Sequence, residues 1–320
     1  MRILVTGSEG SLMQWVIPKL LKKEHKVIGV DNCSRYGDIK RDRKYEFNRG
    51  DLTDELFVSQ VCEDIDIIIQ SAAKLYGVKG FHKYPADILS NDITLHKNLL
   101  HQSVKDKIKN IIYISSSMVY ERCDQIPFKE EYVNNIKVPS TDYGLSKVVG
   151  ERMTKAFQKQ YNLNYTIFRP FNILTPHEKS DEESHVFSDF IRKLLIEKQN
   201  PMEIYGSGEQ IRCFTWIDDV ARGIVKAVDN EKAKNESFNL GNPEKVTMIE
   251  LALRIYNKLI SKGLIENKGL LEFKHLPIYE DDIKVRVPDA SKAKKLLDWK
   301  PKVMLDKALD ICIEEAAKNV

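Results

Sequence analysis

Tyr143 and Lys147 stand four residues apart in Tyr143-Gly144-Leu145-Ser146-Lys147, a spacing that places a phenol and an ammonium on one face of a helix. A phenol ordinarily ionises near 10, so a tyrosine acts as a base near neutrality only where cations favour the phenolate. Lys147 is such a cation. Ser115-Ser116-Ser117 follow the apolar run Ile111–Ile114. A serine at the end of such a strand can hydrogen-bond a hydroxyl whose proton Tyr143 removes. The chemistry on offer is the proton half of a hydride transfer.

A second group of residues could hold the hydride carrier. Thr6-Gly7-Ser8-Glu9-Gly10-Ser11-Leu12-Met13 lies where a first strand gives way to a helix. Gly7 can take the tight turn, and Gly10 lets a pyrophosphate approach the backbone at a helix N-terminus. Met13 stands where a third glycine is usual, at a cost in close helix–strand packing. Asp31 ends the next apolar run about 20 residues on. A carboxylate there accepts ribose hydroxyls and repels a 2′-phosphate, which favours NAD over NADP. Asp51 and Leu52, after the following predicted strand, are placed to meet the adenine edge.

These residues need a scaffold that brings them together. Short β-branched runs at Arg2–Val5, Val27–Val30, Ile65–Ile69, Ile111–Ser115 and Tyr165–Arg169 read as strands. Helical stretches fall at Met13–Lys23, Asp54–Cys62, Ile93–Val104 and Tyr143–Tyr161. Near-continuous apolar strands alternating with helices predict an α/β fold, a doubly wound parallel sheet of Rossmann type covered on both faces. Ligands bind such a sheet at the C-terminal strand ends, where the glycine turn and the serines fall. Beyond Pro170 the alternation stops. Helices at Val186–Gln199, Asp218–Asp229 and Ile249–Lys262, a short strand at Phe238–Leu240 and a solvated turn at Ser180–Ser184 are expected there. This divides the chain into a dinucleotide domain over 1–171 and a smaller C-terminal substrate domain over 172–320, with 213–241 able to return to the first.

Composition narrows the class. The 320 residues carry a net charge of +3, so no global field draws the chain to nucleic acid or anionic membrane. Mean hydropathy is −0.39, and no apolar run approaches the roughly 18 residues of a membrane span. Five scattered cysteines without Cys-x-x-Cys spacing fit neither a disulfide framework nor a zinc site, and the histidines lack metal-ligand spacing. With a strand entered from the first residues, the expectation is a cytoplasmic enzyme without metal.

Taken together, the glycine turn, Asp31, the strand-end serines and Tyr143-x-x-x-Lys147 make the chain resemble the extended short-chain dehydrogenase/reductase family. The likeness is to its NAD-dependent nucleotide-sugar epimerase/dehydratase branch, the UDP-glucose 4-epimerase-like group. The resemblance implies NAD contacts at Gly7, Gly10, Ser11, Leu12 and Asp31, and at Ala72 and Ala73 of Ser71-Ala72-Ala73. It implies that Ser116 works with Tyr143, that Lys147 holds the cofactor ribose, and that Asn91 opens the helix after Ala73. On the substrate side it points to Ser117, to Asn172 of Arg169-Pro170-Phe171-Asn172, and to His185 of His185-Val186-Phe187. Arg212 and Arg286 would grip the diphosphate of a nucleotide sugar; the alternative is an ion pair with Glu209 or Asp282. A homodimer through the helices at Ile93–Val104 and Tyr143–Tyr161 is expected.

Met118 bears on the reaction. Related dehydratases and decarboxylases are similar in having glutamate there, the dehydratases also carry aspartate at the position of Ser117, and 3,5-epimerase and fucose-synthase relatives tend to have cysteine at 118. A thioether transfers no proton. What remains is chemistry at one carbon, epimerisation at C4 through a transient 4-keto sugar. The alternatives are a dehydratase, decarboxylase or reductase of the same family, and a catalytically silent dinucleotide sensor or scaffold.

Overall fold

The computed structural model describes residues 1–37, 42–74, 78–178, 184–278 and 282–318. Six parallel strands come first: β1 (Arg2–Thr6), β2 (Lys26–Asp31), β3 (Glu46–Arg49), β4 (Ile67–Gln70), β5 (Asn110–Ile114) and β6 (Asn164–Pro170). Four short strands follow, β7 (Ile173–Leu174), β8 (Met202–Tyr205), β9 (Ile211–Cys213) and β10 (Thr215–Trp216). Then β11 (Glu236–Leu240) returns beside β6, pairing Phe238 with Phe168. The seven-stranded sheet runs β3-β2-β1-β4-β5-β6-β11, parallel throughout. β12 (Lys245–Thr247) pairs with β9, β13 (Phe273–Leu276) with β8, and β10 with β7. The sequence order reverses between β1 and β4, the point where doubly wound sheets open a crevice.

The helices are α1 (Met13–Lys22), α2 (Glu55–Val61), α3 (Val78–Lys83), α4 (Pro85–Lys105), α5 (Asp142–Tyr161), α6 (Val186–Ile191), α7 (Ile217–Val228), α8 (Met248–Ser261), α9 (Ser291–Leu297) and α10 (Leu305–Ala317). Successive strand residues point to opposite faces. Ile3 and Val5 therefore meet Val16 and Leu20 of α1 and Val220 and Ile224 of α7. Leu4, Ile68 and Ile111 meet Val58 of α2, Leu95 and Leu99 of α4, and Met153 of α5. Each such side chain taken from water is worth about 2 kcal/mol before conformational entropy is subtracted. The first core runs on into Leu251 and Ile255 of α8 and Leu309 and Ile313 of α10, so the C-terminal helices share it.

The structure corrects several sequence expectations. The helix expected at Ile93–Val104 begins at Pro85, because proline at a first helical position brings its φ already set. Asn91 therefore lies within α4 and does not open it. The single helix expected over Val186–Gln199 ends at Ile191 and continues as a π-helical turn over Arg192–Ile196. Most of the turn expected at Ser180–Ser184 falls on 179–183, outside the described residues. All five cysteines are free. No helix among the described residues is long and apolar enough to cross a membrane, and no acidic, histidine or cysteine group there could hold a metal.

Candidate active site

A cleft of about 480 Å³ opens at the C-terminal ends of β1, β2, β4 and β5. Every site residue named from the sequence lines it: Gly7, Gly10, Ser11, Leu12, Asp31, Asp51, Leu52, Ala72, Ala73, Ser116, Ser117, Tyr143, Lys147, Asn172, His185, Arg212 and Arg286. Asn91 lines it as well, from inside α4.

The glycine turn is shaped for a close neighbour. Gly7 has φ +69°, and a Cβ there would sit 2.9 Å from the amide nitrogen of Ala72. Thr6 at the end of β1 accepts the amides of Ser71 and Ala72 on its hydroxyl, both at 3.2 Å. This ties the first strand to the Ala72-Ala73 segment. α1 then starts without a side-chain cap; the Gln14 and Trp15 amides turn back onto Gly10 and Leu12 carbonyls, and the amides of Ser11, Leu12 and Met13 at the helix start are the ones an anion could meet. Met13 is fully buried in the core under α1, so its bulk is absorbed there.

At the end of β2, Asp31 accepts the Glu9 amide on one oxygen (3.0 Å) and the Cys33 amide on the other (2.7 Å). Two lone-pair sites remain for hydroxyl donors. Glu9, inside the glycine turn, takes Arg43 (3.1 Å) and the Tyr45 hydroxyl (2.7 Å), a link the sequence does not disclose. Asp51 accepts the Thr53 amide and hydroxyl. Burial works against its charge, but these bonds hold its pKa below the usual carboxylate value. Leu52 is buried, with its carbonyl on Asn98. An uncapped helix start, a glycine-walled turn and a fixed carboxylate after the second strand match the pyrophosphate and adenosine ribose of a dinucleotide.

The residues expected from the sequence to move a proton meet at the mouth of β5. Ser115 donates to buried Glu151 (2.7 Å), which also holds Arg169 through two oxygens, so this serine is committed to the scaffold. Ser116 accepts the Met118 amide at 3.2 Å and keeps its own hydrogen for another acceptor. Ser117 begins the short 3-10 turn Ser117–Tyr120 and is buried. Thr141 caps α5 by accepting the Gly144 amide (3.0 Å), which fixes the helix one residue before Tyr143 appears. The Lys147 ammonium lies 5.4 Å from the Tyr143 ring centre.

Two features here are not legible in sequence. Phe81 stacks on Tyr143, with ring centres 4.5 Å apart and planes 7° from parallel, and Met118 and Ile88 complete this apolar wall. Buried Asp92 lies 3.4 Å from Lys147. A helix begun at Pro85 puts Asp92 on the face turned to α5; nothing in the sequence marks Phe81.

The far wall carries the positive charge. Arg286 donates to Asn172 at 3.3 Å, while its buried Nε has no hydrogen-bond partner among the described residues. Burial, with Arg212 nearby, pushes its pKa down to about 9, against the pull of Asp282 and Glu121. Arg212 is held by Asp282 at 2.5 Å, as the ion-pair alternative had it, but the guanidinium is buried rather than on the surface. Asn172, at φ +32°, also donates to the Cys213 carbonyl (2.8 Å) and so joins the two arginine segments. His185 is half-exposed and bound to Glu178, which also accepts Ser188 at 2.5 Å. Burial opposes charge on both partners, yet each holds the other ionised: Glu178 falls below its usual pKa and His185 rises above its own.

UDP-glucuronate 4-epimerase of Thermodesulfobacterium geofontis is 29% identical over 99% of this chain and 96% of its own. UDP-glucuronic acid decarboxylase 4 of Arabidopsis thaliana is 30% identical over 100% of this chain and 69% of its own. The crystal structure of UDP-glucose 4-epimerase from Thermotoga maritima with UDP-glucose superposes with a TM-score of 0.88 at 27% identity, covering 100% of this chain and 99% of that one. Residues 3–241 match the family described as NAD dependent epimerase/dehydratase, and the chain belongs to that family.

Proposed function

We propose that the protein is an NAD-dependent nucleotide-sugar epimerase acting at C4 through a transient 4-keto sugar. Residues 1–171 supply the cofactor side of the cleft, 172–320 the sugar-diphosphate side, with β11 of 213–241 completing the sheet. Bound NAD supplies a reversible hydride acceptor. Gly7, Gly10, Ser11 and Leu12 receive its pyrophosphate, Asp31 one ribose, Asp51 and Leu52 the adenine edge, and Ala72 and Ala73 its flank. Lys147 holds the other ribose.

Ser116 then fixes the C4 oxygen, and Tyr143 takes the proton from that hydroxyl as the carbon is oxidised. Tyr143 returns the proton when the keto group is reduced from the opposite face. Between the two steps the sugar must turn while the nucleotide stays put. Arg212 and Arg286 grip the diphosphate, and Asn172, His185 and Ser117 border the substrate. Arg286 is well suited to hold phosphate, because a buried guanidinium with an idle N–H gains a full charge-assisted bond when an anion arrives.

The observation that carries the choice of epimerisation is the wall around Tyr143. Met118, Phe81 and Ile88, which pack there together with Tyr84, include no carboxylate or thiol able to move a proton at a neighbouring carbon. The decarboxylase relatives at equal identity support a second reading, loss of carbon dioxide from the same 4-keto intermediate of a uronic acid sugar. Both are tested by incubating the purified protein with UDP-glucose, UDP-N-acetylglucosamine and UDP-glucuronic acid and following each by NMR. A C4 epimer pair without carbon dioxide supports the first reading. Pentose product supports the second. A protein that binds NAD yet converts no nucleotide sugar is a sensor or scaffold. Nucleotide released on denaturation adds an independent check, since a redox-neutral enzyme retains stoichiometric NAD.

A further inference from the structure

Asp92 belongs to none of the roles above, yet it is a buried carboxylate beside the cleft lysine. It sits on α4 where that helix packs on α5, its side chain 5% exposed, and its Oδ2 lies 3.4 Å from the equally buried Lys147 Nζ. Its Oδ1 accepts the Lys74 amide at 2.9 Å. Lys74 follows Ala72 and Ala73, whose segment is tied back to Thr6. One carboxylate thus joins the cofactor-lining segment to the lysine.

A buried ammonium keeps its proton only if something offsets the lost hydration. From β5, Tyr113 faces Lys147 with its ring centre 5.7 Å away; burial holds this phenol far above its ordinary pKa, against the pull of Lys147, so it is neutral. From α4, one turn beyond Asp92, His96 is bonded to Gln70 and Thr154, and burial pushes its pKa down to about 3, so it is neutral too. On α5, Tyr143 lies on one side of Lys147, and Glu151 is engaged by Arg169. That leaves Asp92 as the carboxylate that faces Lys147 among the described residues. Burial opposes the lysine charge, but its surroundings outweigh burial and hold its pKa above the ordinary value; with Tyr113 neutral, Asp92 is the carboxylate among them.

We infer that Asp92 is a positioning residue that keeps Lys147 protonated and aims it through a close ion pair, leaving the ammonium N–H groups for the ribose hydroxyls of the cofactor. The inference rests on Lys147 being a cofactor ligand, as proposed above.

The test measures NAD binding by calorimetry from pH 7 to 10 on the full chain stripped of nucleotide, alongside the pH profile of turnover. Asp92→Asn keeps the acceptor for the Lys74 amide and removes only the charge. Its NAD affinity should fall about tenfold across that range as Lys147 loses its proton, while the wild type changes little. The alkaline limb of turnover should move down by about one pH unit. Asp92→Glu should restore both. Lys147→Met provides the reference, with weak binding that does not vary with pH. If Asp92→Asn tracks the wild type at every pH, or loses affinity equally at all of them, the proposal is overturned. If Lys147→Met binds NAD like the wild type, Lys147 is no cofactor ligand and both readings fall together.

Discussion

The two walls of the cleft are built on different principles. On the cofactor wall, positions are set by backbone and sheet register: Gly7 is pressed against Ala72, and Asp31 is locked by two amides. On the opposite wall the guanidinium groups are held mainly by side chains from distant segments, Arg212 by Asp282 with one bond to the Ile211 carbonyl and Arg286 by Asn172, and Arg286 is left with an idle buried Nε. The first wall is rigid before its ligand arrives. The second stores unsatisfied charge that only an anion relieves. The contrast suits an enzyme that retains its cofactor and exchanges its substrate.

The largest effect should come where the walls meet. Tyr143→Phe keeps the ring stacked on Phe81 and removes only the hydroxyl. Turnover should drop roughly 10²–10⁴-fold, the span of a lost general base, with NAD and nucleotide-sugar binding nearly unchanged. Steady-state kinetics beside calorimetry would show this; a matching loss of binding would mean that the tyrosine is structural. Next comes Gly7→Ala, which needs an alanine at φ +69° with its Cβ 2.9 Å from Ala72. The strain should cost about 1–3 kcal/mol and weaken NAD, and thermal melts with and without NAD separate the two losses. A small effect on both would show that the cofactor wall is softer than its backbone contacts imply.

Sequence and structure agree best on the first wall, for a physical reason. Strands buried on both faces must be apolar runs, and a turn at positive φ beside another backbone must be glycine, so these constraints are written locally. The second wall depends on contacts between residues far apart in the chain. Arg286 meets Asn172 across 114 positions and Arg212 meets Asp282 across 70, and no local pattern announces either pair. Asn91 shows a middle case. Its presence at the cleft is legible, but the apolar pattern starts the helix around it at Ile93, whereas Pro85 sets the true start. Phe81 and Asp92 escape a sequence reading because an aromatic and a carboxylate on helices are ordinary until the packing is known.

If the arginine wall trades stability for binding, Arg286→Met should show both halves of the trade. Replacing a poorly paired buried cation with an apolar chain of similar length should stabilise the ligand-free fold by about 1–3 kcal/mol. The same change should raise the Michaelis constant for a nucleotide sugar by at least about tenfold, the loss of one charge-assisted phosphate contact. Melting temperature and KM measured on one preparation decide it. A destabilised variant with unchanged KM would make Arg286 a scaffold residue and assign the anion to Arg212 alone.

The smallest expected effect lies at the edge of the second wall, in the pair His185–Glu178. His185 has its pKa raised above the ordinary 6.5 and Glu178 has its own lowered below 4.5, with burial opposing and each partner favouring the other's charge. A raised histidine contributes stability that is complete below pH 6.5 and disappears as pH climbs through the folded value. A lowered glutamate contributes above pH 4.5 and loses that contribution as pH drops through its folded value. The pair is therefore at full strength between about pH 4.5 and 6.5, and above that window the imidazole lets go first. Because His185 is half-exposed, solvent screening limits the gain to a few tenths of a kcal/mol up to about 1 kcal/mol. Melting temperature should accordingly ease downward from pH 6 to pH 8, and His185→Asn should flatten that slope without altering NAD binding. A slope that survives the substitution would place the titrating group elsewhere, whereas a slope that vanishes together with NAD affinity would mean that this pair serves the cofactor wall and that the two walls are less separate than their construction implies.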